Sequence, residues 1–319
     1  MCYSAMVEQN FKSFERWKKA RIDSGLFEGL FRRRVEDDSI KIARALEANY
    51  ADPKTAQDKR ITQYIKEYHA RKTAEWQADL FKQKKRLADA ERSLKTKETK
   101  KALEDQRIAS NKIERYVARL ADAERKQLKP EDSRIFPFWY VPVMVMEDGE
   151  YVIKPMRYHC RMNGKPASYD KRYPGLYNAR RDNLDGYWKG VFGTHHAIAL
   201  VSSFFENVAL HDFEHRELRK GEKEQNLVLH FNPRTAEPML LACVWDRWQK
   251  AGEDDLYSFA IVTDDPPPEV AATGHNRCPI PLKAANVDAW LTPEGRDKDE
   301  LQALLDDHER PYYEHERAA

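Results

Sequence analysis

Apolar residues follow two different periods along this chain, and the change falls at Pro130. Before it, from about Glu8 to Lys129, Lys, Arg, Glu, Ala and Gln dominate and few glycines or prolines interrupt, so the segment predicts almost continuous helix. Phe11, Phe14 and Trp17 recur at helical spacing, Ile40, Ile42, Ala43 and Leu46 mark a second piece, and Asp52-Pro53 announces a much longer one. From Thr55 to Leu94 a thin stripe of Ile61, Tyr64, Tyr68, Trp76, Leu80, Leu87 and Leu94 runs among charges. A second stripe, Leu103, Ile113, Val117 and Leu120, ends at the Pro130 stop signal. A helix of about 40 residues is about 60 Å long, so it needs a return leg to bring both flanks to one body. The pattern predicts an antiparallel, coiled-coil-like helical hairpin turning near Lys95 to Lys100.

Beyond Pro130 the period becomes two. Phe136 to Met146, an Asp148-Gly149 turn and Tyr151 to Ile153 predict a β-hairpin. Further strands are expected at His196 to Val201, Leu227 to Phe231, Met239 to Val244 and Tyr257 to Thr263, with a helix near Ala284 to Leu291. After Pro293 the charged stretch predicts a peripheral helix and a loose tail. The fold class is therefore α+β, a β-rich domain carrying a helical arm.

Charge changes this picture only locally. The 55 basic and 53 acidic residues leave a formal net charge of +2, so any nucleic-acid surface must come from clustering. Residues 55–128 intersperse acids among many lysines and arginines, which predicts a solvated arm that packs on the body or on a protein partner rather than a dedicated DNA clamp. Cys2, Cys160, Cys243 and Cys278 are irregularly spaced and predict reduced thiols. No apolar run reaches the roughly 20 residues of a membrane span and no signal peptide is visible, which predicts a cytoplasmic protein without membrane contact. His211 and His215 have helical spacing but lack further ligands, and phosphate-binding glycine loops are absent, so neither metal nor cofactor is expected.

The candidate chemistry starts at position 2. Removal of Met1 leaves Cys2 with a free amine and a thiol, which together can convert an aldehyde first to a Schiff base and then to a five-membered thiazolidine. Asn178 and Arg180 stand in Tyr177-Asn178-Ala179-Arg180 after Pro174-Gly175, where Asn178 reads equally as a turn residue. Glu206 ends an apolar run through Phe204-Phe205; such a carboxylate serves as a general acid or pairs with a buried arginine. His275 lies in the Gly/Pro-framed loop Thr273-Gly274-His275-Asn276-Arg277-Cys278-Pro279.

The order of these motifs, from Met1-Cys2 through Tyr177-Asn178-Ala179-Arg180, Phe204-Phe205-Glu206 and Phe259 to Thr263, to His275-Asn276-Arg277-Cys278-Pro279, resembles the SOS-response-associated peptidase family of abasic-site processing proteins. The resemblance covers residues 1–7 and roughly 135–292. It implies a compact mixed α+β fold with curved sheets, autopeptidase removal of Met1, and capture of abasic sites in single-stranded DNA as a thiazolidine crosslink in the DNA damage response. In that reading Cys2 attacks the sugar aldehyde with transient, lyase-like Schiff-base chemistry, Asn178 orients it, Glu206 and His275 move protons, Arg180 and Arg277 hold phosphates, and Tyr158 stacks on a base. Departures concern DNA contacts: Tyr3 and Ser4 stand where the family usually has Gly-Arg, so a phosphate-binding arginine next to the nucleophile is missing. The implied organisation is a catalytic domain of residues 1–7 and 131–295, a helical insertion at 8–130 with its own protein partner, and a charged tail at 296–319. Two competing readings are a cysteine peptidase acting in trans, with His275 as base, and a non-enzymatic DNA-associated scaffold that works through the arm.

Overall fold

The computed structural model describes residues 3–235 and 237–318. The chain enters on β1 (Ser4–Val7), then forms α1 (Phe11–Lys18), β2 (Arg21–Ile22), α2 (Ser24–Arg34), β3 (Lys41–Ile42) and α3 (Arg44–Glu47). The two long helices α4 (Ala56–Thr96) and α5 (Lys100–Glu124) follow. After them come β4 (Arg134–Ile135) and the hairpin of β5 (Trp139–Glu147) and β6 (Glu150–Tyr158), turned by Asp148 and Gly149, which both adopt positive φ (52° and 79°). Two successive positive φ values match the right-handed twist of the flanking strands.

The remaining elements are α6 (Tyr169–Arg172), β7 (Asn178–Arg180), β8 (His196–Ala209), α7 (Leu210–Phe213), β9 (Asn226–Pro233), β10 (Met239–Trp248), β11 (Leu256–Asp264), α8 (Pro268–Ala271), β12 (Cys278–Pro279), α9 (Val287–Leu291), α10 (Lys298–Asp306) and β13 (Tyr313–Arg317). Among the described residues all thirteen strands join one sheet, in the order β13-β9-β8-β10-β11-β6-β5-β3 with shorter strands attached. The Met144–Ile198 pairing joins β5 back to β8, so β8, β10, β11, β6 and β5 close into a barrel-like core. The expected α+β class with a curved sheet is the one observed.

Strand alternation buries both faces. Val143, Val145, Ala197, Ala199, Phe259 and Ile261 belong to one apolar cluster, while their neighbours Met144, Ile198, Ala260 and Val262 belong to another on the opposite face. The second cluster takes in Phe14, Phe27, Phe31 and Leu46 from the N-terminal segment and Trp290, Leu301 and Leu305 from α9 and α10. Residues 8–55 are thus not the almost continuous helix that their composition predicts. Arg21–Ile22 and Lys41–Ile42 pair in parallel with β6 and β5, and their helices lie against the sheet, because the aromatic and branched residues there are spaced to cover a body rather than to line a partner helix. The C-terminal tail is not loose either: after the expected helix, β13 pairs with β9 over five residues, with Tyr313 buried. No helix among the described residues is long and apolar enough to cross a membrane.

The predicted hairpin is α4 and α5. Thr55 and Asp58 close a reciprocal capping box at the start of α4, with the Thr55 hydroxyl accepting from the Asp58 N–H at 3.0 Å and the Asp58 carboxylate accepting from the Thr55 N–H at 2.9 Å. The turn occupies residues 97–99, and Thr99 caps α5 by accepting from the Ala102 N–H at 3.2 Å. The outer part of the pair is zipped by small buried residues, Ala90, Ala102 and Ala109, and by an Arg86–Asp105 ion pair at 2.5 Å.

The arm is pinned to the body at its root. Ile61 is fully buried, Arg71 and Lys72 both reach Asp38, and the buried Glu47 of α3 pairs with Arg34 of α2 and with His69 of α4, the latter at 2.7 Å. Hydrogen bonds from Lys72 and Arg71 pull the Asp38 carboxyl down to about 2. Against the opposing effect of burial, the contacts of His69 and Arg34 hold Glu47 below the usual carboxylate range. Depressed acids stabilise the fold above their unfolded pKa near ~4 and cease to as pH falls through the folded value. The root is therefore expected to loosen between about pH 4 and pH 2. Glu47→Gln strands the Arg34 guanidinium in a buried site, and urea unfolding at pH 7 is expected to show a loss of about 3 kcal/mol, the low end for breaking a buried pair. A loss below about 0.5 kcal/mol, as for a surface pair, is the contrary result.

Candidate active site

Glu206 sits on β8 because that strand contains an irregularity. Pairing with β1 runs Ser4–Phe205, Ala5–Phe204 and Met6–Ser203, then jumps to Val7–Val201, leaving an extra residue in β8. The extra residue inverts the alternation. Val201 upstream and Phe204 and Val208 downstream all join the same apolar cluster, and Glu206, opposite Leu229 of that cluster, is turned to this face with 1% of its surface exposed.

The partner of Glu206 arrives from the loop between α8 and β12. His275 Nε2 lies 3.3 Å from Glu206 Oε2, and its Nδ1 is 2.8 Å from the Arg277 carbonyl. Nδ1 faces the Arg277 backbone, whose N–H lies 3.3 Å from it, so Nε2 is the nitrogen presented to the carboxylate and the two groups form a buried route for a proton. Gly274 makes the approach feasible. It has φ +85°, and a Cβ there would fall 2.7 Å from Asp212 Cβ and 2.9 Å from the Asp212 carbonyl carbon, in the helix that follows β8. A side chain would push the His275 loop off the end of the Glu206 strand.

Arg180 and Arg277 meet at one acid. Arg180 is exposed and pairs with Asp182 at 2.5 Å, while the buried Arg277 reaches Asp182 at 3.6 Å and Asp265 at 3.4 Å. Asn178 opens β7 opposite Ile261, on the face that carries Glu206, and is buried. Neither its amide nitrogen nor its amide oxygen has a hydrogen-bond partner among the described residues. Orphaned amide atoms are costly, about 1–3 kcal/mol, and are expected where a ligand or a reacting group completes the site. Cys2 lies outside the described residues. Its neighbour Tyr3 donates its N–H to the Phe205 carbonyl at 3.2 Å, one residue from Glu206.

Tyr158 requires a correction. It is 0% exposed, packed edge-on to Tyr177 at 5.4 Å and tilted on Phe259 at 5.3 Å, so its ring is core and has no face free for a base. The exposed aromatic near the N-terminus is Tyr3, at 39% exposure, whose ring meets Phe136 at 5.9 Å.

Arg134 is a site residue that the sequence motifs do not single out. Its guanidinium lies 3.5 Å from the Phe205 ring centre and 5.1 Å from that of Phe136. Nε and one Nη donate to Ser4 Oγ at 3.1 and 3.0 Å. No carboxylate pairs with it among the described residues. Burial lowers it from its ordinary value, but a guanidinium stays charged at neutral pH. His230 stacks on the same Phe205 ring at 4.1 Å, and burial, aided by the Arg134 charge, holds its imidazole below the usual range. The only signal in the sequence is a basic residue beside an aromatic one, and the 130 residues between Ser4 and Arg134 hide their contact. Cys160, Cys243 and Cys278 are all buried free thiols, and burial pushes each of them up, Cys160 to about 12.

Several solved structures resemble this chain, among them the three that follow. A crystal structure of a protein from Bacteroides thetaiotaomicron is 15% identical over 58% of this chain and 77% of its own, with a TM-score of 0.46. Two proteins from Bordetella bronchiseptica follow, one at 13% identity, covering 61% of this chain and 90% of its own (TM-score 0.46). The other, described as phage-related, is 18% identical over 58% and 80% (TM-score 0.43). No curated protein matches the sequence. The family model described as SOS response associated peptidase matches residues 93–317, well over half of the chain and all of the Asn178, Glu206 and His275 constellation. The chain therefore belongs to the SOS response associated peptidase family.

Proposed function

We propose that this protein captures abasic sites in single-stranded DNA through Cys2 after removal of Met1. The observation that carries the reading is the junction of three distant segments: the start of the chain is hydrogen-bonded to Phe205, the next residue is the buried Glu206, and His275 contacts its carboxylate. The Cys2 amine adds to the C1′ aldehyde of the ring-opened sugar, and loss of water gives an imine. The thiol then adds to the imine carbon, its proton passes to nitrogen, and the thiazolidine closes. Glu206 protonates the departing hydroxyl, His275 protonates the ring oxygen to open the sugar, and the unsatisfied Asn178 amide orients the amine.

DNA is held in this reading by cations around the site. Arg134, resting on Phe205 and tied to Ser4, supplies the phosphate contact that the missing Gly-Arg after Cys2 would have given. Ser4 uses one edge of its fork and leaves the Nη1–Nη2 edge for a bidentate phosphate. Arg180 and Arg277 bind a phosphate in competition with Asp182. A single-stranded target presents its sugar without the cost of unstacking a duplex.

The decisive experiment incubates protein of verified mature mass with single-stranded DNA carrying one abasic site and looks for a heat-stable band on a denaturing gel; no band overturns the reading. Cys2→Ser is expected to abolish that band, since the hydroxyl closes a far less stable ring. Glu206→Gln keeps the shape but loses the proton, and single-turnover crosslinking should slow by about 100-fold while affinity for undamaged DNA changes less than twofold. Arg134→Ala should weaken binding to undamaged single strands and flatten the salt dependence by about 0.7, the value for one phosphate. An unchanged slope would remove Arg134 from the DNA surface.

A further inference from the structure

Charge on the helical arm is segregated. Between Lys82 and Lys101 the chain has nine lysines and arginines against three acids, Asp89, Glu91 and Glu98. That is an excess of six in a chain whose formal net charge is +2, so everything outside this stretch is net acidic. Residues 55–128 as a whole carry 20 lysines and arginines against 12 acids, an excess of eight, and this one end supplies six of it.

Outside the tip several cations are matched, although Lys59, Lys66, Lys112 and Lys126 have no acidic partner among the described residues. Arg60 pairs with Glu28, Arg71 and Lys72 with Asp38 and Glu75, and Arg125 with Asp122 and Asp132. At the tip, Arg86 and Arg92 have acidic partners in Asp105 and Asp89, but the seven lysines have none among the described residues, and each is exposed. Lys82, Lys85 and Lys101 line one cleft between the two helices with the hydroxyl residues Ser93 and Thr99. Lys72 is hydrogen-bonded to Asp38 on the body, and α4 continues to Thr96 beyond it, about 36 Å at 1.5 Å per residue. That reach equals about ten base pairs of duplex at 3.4 Å each.

We propose that the tip of the arm is a second nucleic-acid contact that grips the phosphodiester backbone away from the active site. Protein interfaces bury aromatic and arginine anchors and are depleted in lysine, whereas backbone phosphates are met by lysine and arginine without sequence preference. Large apolar exposure beside the tip is confined to Phe81 and Leu103, too little for the core of a protein interface. The arm root leads through Arg125 and Asp132 directly to Arg134 and the β1–β4 pair, so the two basic regions belong to one continuous limb. This inference is independent of covalent capture, because it is read with undamaged nucleic acid.

The test replaces Lys84, Lys85, Lys97 and Lys101 together by Gln in the full chain and titrates undamaged 40-nucleotide single strands and 40-base-pair duplexes across a salt series. Each lost contact flattens the slope of log K against log salt by about 0.7 on single strands and about 0.9 on duplex. The quadruple variant is expected to flatten it by about two on at least one of the two, with at least a tenfold loss of affinity at low salt and an unchanged melting temperature. The form that responds identifies which backbone the tip holds. Arg at the same four positions should restore the slope. Removing Lys59, Lys66, Lys112 and Lys126 instead, outside the tip, controls for net charge and should leave most of the slope intact. An unchanged slope in the tip variant, or an equal loss in the control, overturns the proposal.

Discussion

One additional residue in β8 determines which face of the sheet carries the chemistry. Before the irregularity at Ser202–Ser203 the odd-numbered side chains enter the cluster of Ala197, Ala199 and Val201, and after it the even-numbered ones do, so Glu206 follows Phe204 inward. A regular strand would have put the carboxylate on the opposite face and the bulky Phe205 ring in its place. Phe205, turned the other way, becomes the platform on which Arg134 and His230 rest. A single backbone event thus separates the face of the Glu206–His275 pair from the face that bears Arg134, with the first described residues of the chain bonded along the seam.

Much of this was legible in the sequence where the signal is local. The hairpin of β5 and β6 shows in its alternation and Asp148-Gly149 turn, and the arm shows in its sparse stripes, its Asp52-Pro53 start and the turn expected near Lys95 to Lys100. Glu206 and His275, 69 positions apart, were singled out because each has an unusual local setting, and the structure does bring them into contact. What could not be read is whatever depends on pairing at a distance. Two-residue strands such as Arg21–Ile22 have too few positions to show a period, and their parallel partners lie more than 90 residues on. Tyr158 illustrates the limit of single residues: an aromatic at the end of a strand reads the same whether its ring covers the core or faces solvent, and here Tyr177 and Phe259 enclose it.

The arm divides into two halves with different physics. Near the body several of its charges are consumed by partners, some of them buried, and Glu47 couples α2, α3 and α4 so that the direction of the arm is fixed by packing and ion pairs together. Toward the tip the helices hold each other through alanines and one part-buried Arg86–Asp105 contact, and the lysines have no acidic partners among the described residues. Rigidity is inherited from the root while charge is displayed at the end, which is the arrangement that sets a fixed distance between two basic surfaces.

The thiol inventory has an analytical consequence. Cys160, Cys243 and Cys278 are enclosed by the sheet and driven toward the protonated form, so the folded chain withholds these three thiols from electrophiles. A maleimide or iodoacetamide reagent at neutral pH would consequently leave these three unlabelled, and any label on them would be a direct readout of unfolding around the barrel.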